Sequence, residues 1–245
     1  MITASLRSEL APTGQLRVGI NYGNPVLAKK DPQNGELRGV AVDLASELAR
    51  RVGIPLALVG FESAGKMFEA VKASAWDAAF LAIDPTRGAE IDFTPPYIEI
   101  EGTYLAPKNS PLSAIGDVDH DNVRIGVSAN SAYDLFLSRS IQRAQLVRAA
   151  SPETAIELLI AGKVDVLAGV RQHLMANAVK FPGSRLFEGR FMAIQQAVGI
   201  PKGRPRAREY LRDFIEGAKA SGLVARAIEK AGVGGVSIPP AASIG

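Results

Sequence analysis

The sequence predicts an α/β protein built from two Rossmann-like lobes joined by a two-strand hinge. Three observations point there. Leu16-Arg17-Val18-Gly19-Ile20 and Val123-Arg124-Ile125-Gly126-Val127 repeat one strand signature in the two halves of the chain. Each copy is followed by the same order of elements: helix, strand, helix, strand. Extended stretches at 98–106 (IEIEGTYLA) and 192–200 (MAIQQAVGI) leave each copy as connections would.

In the first copy a helix spans about 41–52, with Val42, Leu44, Ala45, Leu48, Ala49 and Val52 on its apolar side and Gly53 and Pro55 ending it. A strand at 55–60 and a helix at 64–74 follow, then the strand Ala78–Ile83 opened by Asp77. In the second copy a helix at 131–139 and a strand at 145–149 precede a helix at 152–161. That helix starts with a Ser151 cap and Pro152 in its first turn. The strand Val166–Gly169 then opens after Asp165. Strand–helix alternation implies parallel sheets covered by helices on both faces. Helices at 204–220 and 221–231 and a loose Gly/Pro-rich tail at 233–245 complete the chain. Two crossings divide it into lobe 1 (1–102 and 196–245) and an inserted lobe 2 (103–195). Two crossing strands are a common basis for closure around a ligand.

Composition narrows the function. Of 245 residues, 47% are hydrophobic and 22% charged, as expected for a folded globular chain. The net charge is only +3, no basic run is present and 6% of residues are aromatic, so no nucleic-acid partner is expected. With no cysteine, thiolate metal sites and disulfides are excluded. His120 and His173 lack ligand spacing, so no metal and no cofactor are expected. No stretch is apolar and long enough to span a membrane. Met1–Gly14 carries Arg7 and Glu9 and no apolar run of the length a secretory signal needs. The chain as it stands therefore reads as cytoplasmic, and as periplasmic if a signal has been removed.

The order LRVGIN…GELRGVAVDLASELARRVGI…KMFEAVKASAWDAAFLAIDPTRGAEIDFTPPY resembles the family 3 extracellular solute-binding proteins, the amino-acid-type receptors of ABC importers. The resemblance continues through VRIGVSANSAYDLFL, ELLIAGKVDVLAG and ASGLVARAIEKAG, and its most specific part is the run from Thr86 to Tyr97. It implies a type II periplasmic-binding-protein architecture, a small carboxylate-bearing ligand held between lobes, an ABC-transporter membrane component as a partner, and a monomer that is not an enzyme. A few relatives dehydrate cyclic carboxylic acids, which keeps a dehydratase-like enzyme as the alternative.

Arg87 lies just past the strand Ala78–Ile83, at the end of a parallel strand where ligands of open sheets bind. Its planar fork matches a carboxylate, and the resemblance assigns it that grip. Asn130 and Ser131 open the helix at 131–139. There the resemblance places closure onto the same carboxylate; ordinary helix capping is the plainer reading, and the two are compatible because further N–H groups stay free to face a ligand. Tyr22 is expected against the ligand's body, with Asn21 and Asn24 as hydrogen-bonding neighbours, or all three form a tight turn. Phe80, Ala82 and Asp84 line the strand end. Ala82 stands where the family often has a hydroxyl, and Asp84 either accepts from a ligand or caps Asp84-Pro85-Thr86. Val170 stands where amino-acid receptors commonly carry an Asp for the ligand's ammonium. A buried ammonium without an acid is costly, so the ligand either finds another acid or lacks an α-amine. Arg171 and Gln172 would suit a second acidic or polar group, or cap or flank a helix at 171–180. Gln195, with Gln196, is expected to reach the ligand from the return crossing.

Overall fold

The computed structural model describes residues 2–241. It forms two compact units: Met1–Glu62, Lys66–Glu99 and Gln195–Gly245 in unit 1, and Ser63–Gly65 and Ile100–Ile194 in unit 2. The chain passes between them inside two long strands, at 99/100 and 194/195; the sequence reading puts these points at 102/103 and 195/196.

Unit 1 contains α1 (Ala4–Leu10), β1 (Leu16–Asn21), β2 (Lys29–Lys30), β3 (Leu37–Arg38), α2 (Val40–Val52), β4 (Leu56–Phe61), α3 (Ala64–Glu69), β5 (Ala78–Ala82) and β6 (Ile91–Phe93). Its sheet runs β4-β1-β5, and the next strand is the later part of a long strand that returns from unit 2. β1 pairs in parallel with β4 and with β5. α2 buries Val40, Ala41, Leu44, Ala45, Leu48, Ala49 and Val52, and ends on Gly53 in a left-handed conformation. It starts at Gly39, whose φ of 133° few side chains tolerate and where a Cβ would sit 2.7 Å from the Leu27 carbonyl oxygen. The other face of β5 packs Ala79 and Leu81 against Met67, Val71, Trp76 and Ile91.

α3 stops at Glu69 where the sequence pattern predicts helix to 74. Val71 N–H bonds to the Phe68 carbonyl at 3.1 Å, tightening the turn, and Trp76 Nε1 donates to the Met67 carbonyl at 2.8 Å. The indole takes an acceptor that another helical turn would use.

Unit 2 contains the rest of β7 (Ile98–Ala106), β8 (Arg124–Ser128), α4 (Ala132–Ser140), β9 (Gln145–Ala149), α5 (Pro152–Ile160), β10 (Val166–Val170), α6 (Arg171–Ala178), β11 (Arg185–Leu186) and the first residues of β12 (Met192–Pro201). The sheet order is β7-β10-β8-β9, with β10–β8 and β8–β9 parallel and β7 antiparallel to β10. α7 (Pro205–Ala220) and α8 (Leu223–Lys230) return to unit 1.

The sequence repeat has a physical counterpart. Arg17 on β1 donates Nε and Nη2 to the two oxygens of Asp77 at 2.9 and 2.8 Å, and its backbone N–H reaches Oδ2 at 3.2 Å. Arg124 on β8 repeats this onto Asp165, with Nε, Nη2 and N–H at 3.0, 2.8 and 2.8 Å. Each clasp ties the first strand of a unit to the residue that opens the third. Asp77 is fully buried and also takes Arg204 Nη1 at 3.4 Å.

Described residues near both ends of the chain are tied down. α1 buries Leu6 and Leu10, and Glu9 accepts the Ala207 N–H at 2.9 Å, capping α7. Ser237 and Glu99 exchange backbone hydrogen bonds at 2.8 and 3.1 Å, and Lys219 Nζ donates to the Pro240 carbonyl. The segment that the sequence reads as loose is thus stitched to β7 through Ser237; residues 242–245 lie outside the described residues. Among the described residues no helix is long and apolar enough to cross a membrane.

Half-buried His173 on α6 sets a pH dependence. Burial, aided by the Lys180 charge, holds its pKa below the usual 6.5, while Glu153 and a Pro152 hydrogen bond oppose this. The folded state thus resists a proton that the unfolded chain accepts, so stability is complete above the unfolded pKa and declines as pH falls through it. Urea midpoints at pH 7.5 and 5.5 are expected to drop with acid in the wild type, with a smaller drop in His173→Gln.

Candidate functional site

In unit 1 the polar residues gather where β5 ends. Ala82 leads through the turn Asp84-Pro85-Thr86 into a 3-10 turn at Arg87–Ala89. Arg87 is fully buried, and its Nη1 donates to the Ala82 carbonyl at 2.9 Å. Burial draws its pKa down to about 10, against the pull of the Asp84 charge, so the group remains cationic at neutral pH. A buried cation needs anionic company. Asp84 supplies charge, yet its Oδ1 accepts the Thr86 N–H at 2.8 Å. Of its two sequence readings, the turn cap is the one this bond displays.

The loop after β1 is built from side-chain-capped turns. Asn21 Oδ1 accepts the Gly23 N–H and Asn24 Oδ1 the Val26 N–H, both at 3.1 Å, and both residues are buried. Their amide oxygens thereby hold the loop. Tyr22 is half-buried, and Lys30 Nζ stands 5.3 Å from its ring centre. Phe80 is fully buried and packs edge-on against Tyr97 with ring centres 5.6 Å apart, a packing arrangement within the unit's interior.

Gln195 and Gln196 separate by strand alternation. Gln195 is exposed, and its carbonyl accepts the Ile83 N–H. Gln196 is 3% exposed and stands in register with Ala82. Of the two amides that the sequence reading offers, Gln196 is the one whose side chain is buried in unit 1, and Gln195 is the exposed one.

In unit 2 Ser131 is the N-cap of α4, accepting the Asp134 N–H on Oγ at 3.1 Å. Asn130 adopts a left-handed conformation with φ of 56°, which Asn tolerates better than most residues. Its N–H donates to Asp134 Oδ2 at 2.8 Å. Asp134, almost fully buried, brings its own negative charge to this helix start and pairs with Arg148 at 3.0 Å. Next to it, burial pushes the Tyr133 phenol up to about 12, while hydrogen bonds to Ser131 and Ser128 oppose the shift. Ser131 thus caps α4.

Val170 ends β10 and precedes α6, buried and in register with Gly102. Arg171 beside it donates Nε to Glu101 at 2.6 Å and also reaches the Phe187 and Gly189 carbonyls. Its charge is matched within unit 2 by Glu101, and it opens α6 as the helix-flanking reading has it. Among the described residues no group of three or more His, Asp or Glu is placed to hold a metal ion.

Two residues stand out: Gln196, one of the two amides the sequence reading offers to the ligand, and Tyr97, which it does not assign. Tyr97 Oη and Gln196 Oε1 are buried with no hydrogen-bond partner among the described residues. Tyr97 sits in the specific run Thr86–Tyr97, where its ring packs on Phe80 and its N–H donates to the Gln196 carbonyl.

Solved structures share this fold. The solute receptor for L-cysteine of Neisseria gonorrhoeae superposes with a TM-score of 0.80 at 22% identity, covering 94% of this chain and 93% of its own. An amino acid ABC transporter substrate-binding protein from Streptococcus pneumoniae, bound to L-arginine, gives 0.77 at 20% identity, with 91% and 96% covered. An ancestral amino acid-binding protein, described as a precursor of cyclohexadienyl dehydratase, gives 0.76 at 21%, with 93% and 99% covered. These likenesses show the type II periplasmic-binding-protein fold. No curated protein matches the chain. The model of the bacterial extracellular solute-binding proteins, family 3, matches residues 16–233, nearly the whole chain, and the protein belongs to that family.

Proposed function

We propose that this protein binds a small carboxylate-bearing solute, an amino acid or related organic acid, and releases it unchanged as the receptor of an ABC importer or as a stand-alone binder. The carrying observation is Arg87: a fully buried, still cationic guanidinium at the carboxyl end of a parallel strand. The ligands of the similar structures, L-cysteine and L-arginine, share an α-carboxylate and differ in their side chains. A grip on the constant group is what a planar fork provides.

A melting-temperature screen of amino, hydroxy, keto and unsubstituted carboxylic acids tests the reading. A ligand at a hundred times its Kd adds about 2.7 kcal/mol to the folded state, or roughly 5–11 °C for a chain of this size. The matching amides and esters, which lack the carboxylate, are expected to give no shift. Equal shifts from an acid and its ester would sink the reading.

A further inference from the structure

We propose that Gln196 and Tyr97 form a specificity subsite that reads an uncharged hydroxyl group on the bound acid, making a hydroxycarboxylic acid the preferred ligand. The inference rests on the carboxylate reading above and goes beyond it by naming the second group recognised.

The two residues are neighbours: the Tyr97 N–H donates to the Gln196 carbonyl at 2.8 Å. Antiparallel register pairs Gln196 with Ala82 and Val198 with Phe80, so these four side chains share a face of the sheet. The Tyr97 ring lies against Phe80 on that face. Both residues are almost wholly buried, at 3% and 0% exposure. Their polar atoms, Gln196 Oε1 and Tyr97 Oη, meet no partner among the described residues. Each such atom carries an uncompensated desolvation cost, and an apolar replacement of similar shape is nearly neutral. Two adjacent polar groups kept at that cost call for a molecule that satisfies both.

Ala82 links this pair to the carboxylate grip. Its carbonyl accepts Arg87 Nη1, and it stands opposite Gln196. Facing residues of paired strands are about 5 Å apart, so a group read by Gln196 lies within a few bonds of a carboxylate held by Arg87. The pair's chemistry selects that group. Gln196 Oε1 can only accept; a phenol can donate. A hydroxyl does both in return, donating to the amide oxygen and accepting from the phenol. A keto oxygen cannot donate. An ammonium could donate to both oxygens, but it would leave the phenol hydrogen without an acceptor and find no countercharge in this pair, since both residues are neutral, burial keeping the Tyr97 phenol protonated. Of the acids that could meet an ammonium, Glu101 pairs with Arg171 and Glu62 with Lys66, while Asp84 caps its turn and lends its charge to Arg87.

The test uses calorimetric titration of wild type, Tyr97→Phe and Gln196→Met with matched series: glycolate, acetate and glycine; lactate, propionate and alanine. Wild type is expected to bind the hydroxy acid at least about tenfold tighter than its deoxy and amino counterparts. Each variant brings the hydroxy-to-deoxy ratio towards one without weakening the deoxy acid. Without ligand, both variants melt at or above the wild-type temperature, because each loses an unpartnered buried atom. If wild type binds these acids but the variants keep its ratio, or melt well below it because an internal water satisfied the pair, the subsite is refuted and the Arg87 reading stands. If wild type binds none of the acids, the carboxylate reading fails and the subsite falls with it.

Discussion

Arg87→Ala is expected to weaken binding of the best acid from the melting screen by about 2–5 kcal/mol, the range for stripping one partner from a buried charge pair. That is roughly thirtyfold to several-thousandfold in Kd. The magnitude follows from burial. Arg87 is fully enclosed, so the ligand charge it meets has little solvent to screen it. Arg87→Lys separates charge from shape: an ammonium keeps the charge but loses the paired planar donors, and its affinity should fall between the two. Titration calorimetry reads both, with ligand-free melting curves to confirm folding. An Arg87→Ala protein that binds within twofold of wild type would remove the residue from the site altogether.

Asp77→Ala carries the second large effect, on stability. It strips the carboxylate from Arg17 and Arg204, whose side chains are only 25% and 19% exposed. Breaking a fully buried pair costs about 3–5 kcal/mol. The arginines here keep some solvent, so about 3 kcal/mol is expected, a fall of roughly 6–12 °C in Tm. Asp165→Ala is the internal control. The geometry is the same, but Asp165 and Arg124 are 37% and 40% exposed, so about 1 kcal/mol is expected. Equal losses at the two positions would show that burial is not what sets the strength of these clasps.

Long-range order was legible because it is written in periodic patterns. The apolar stripe of α2, the Ser151-Pro152 start of α5 and the repeated strand signature are local features, and each element follows from its own residues. The Asp that opens the third strand of each copy was visible too, but its Arg partner was not, since Arg17 and Asp77 meet only through the sheet. The short elements β6 and β11 carry too few residues to show a period, and they form because longer strands offer them partners. At the site, Arg87 stood out through its motif. Gln195 and Gln196 could not be separated in IQQAV, where two amides sit side by side and only the register with Ala82 decides which one turns inward. Asp84 and Asn21 had two readings each because short polar side chains serve turns and ligands with the same atoms, and the turns recruited theirs from residues two positions away.

The pairing of Ser237 with Glu99 bears on how the protein can be instrumented. A fluorophore, affinity handle or fused reporter attached at the carboxyl terminus hangs from a segment that shares backbone hydrogen bonds with the last residue of unit 1 before the first crossing. Such a label is not a bystander. Its drag bears directly on the strand that carries the chain from one unit to the other, and the amino-terminal side of α1 offers a quieter attachment point.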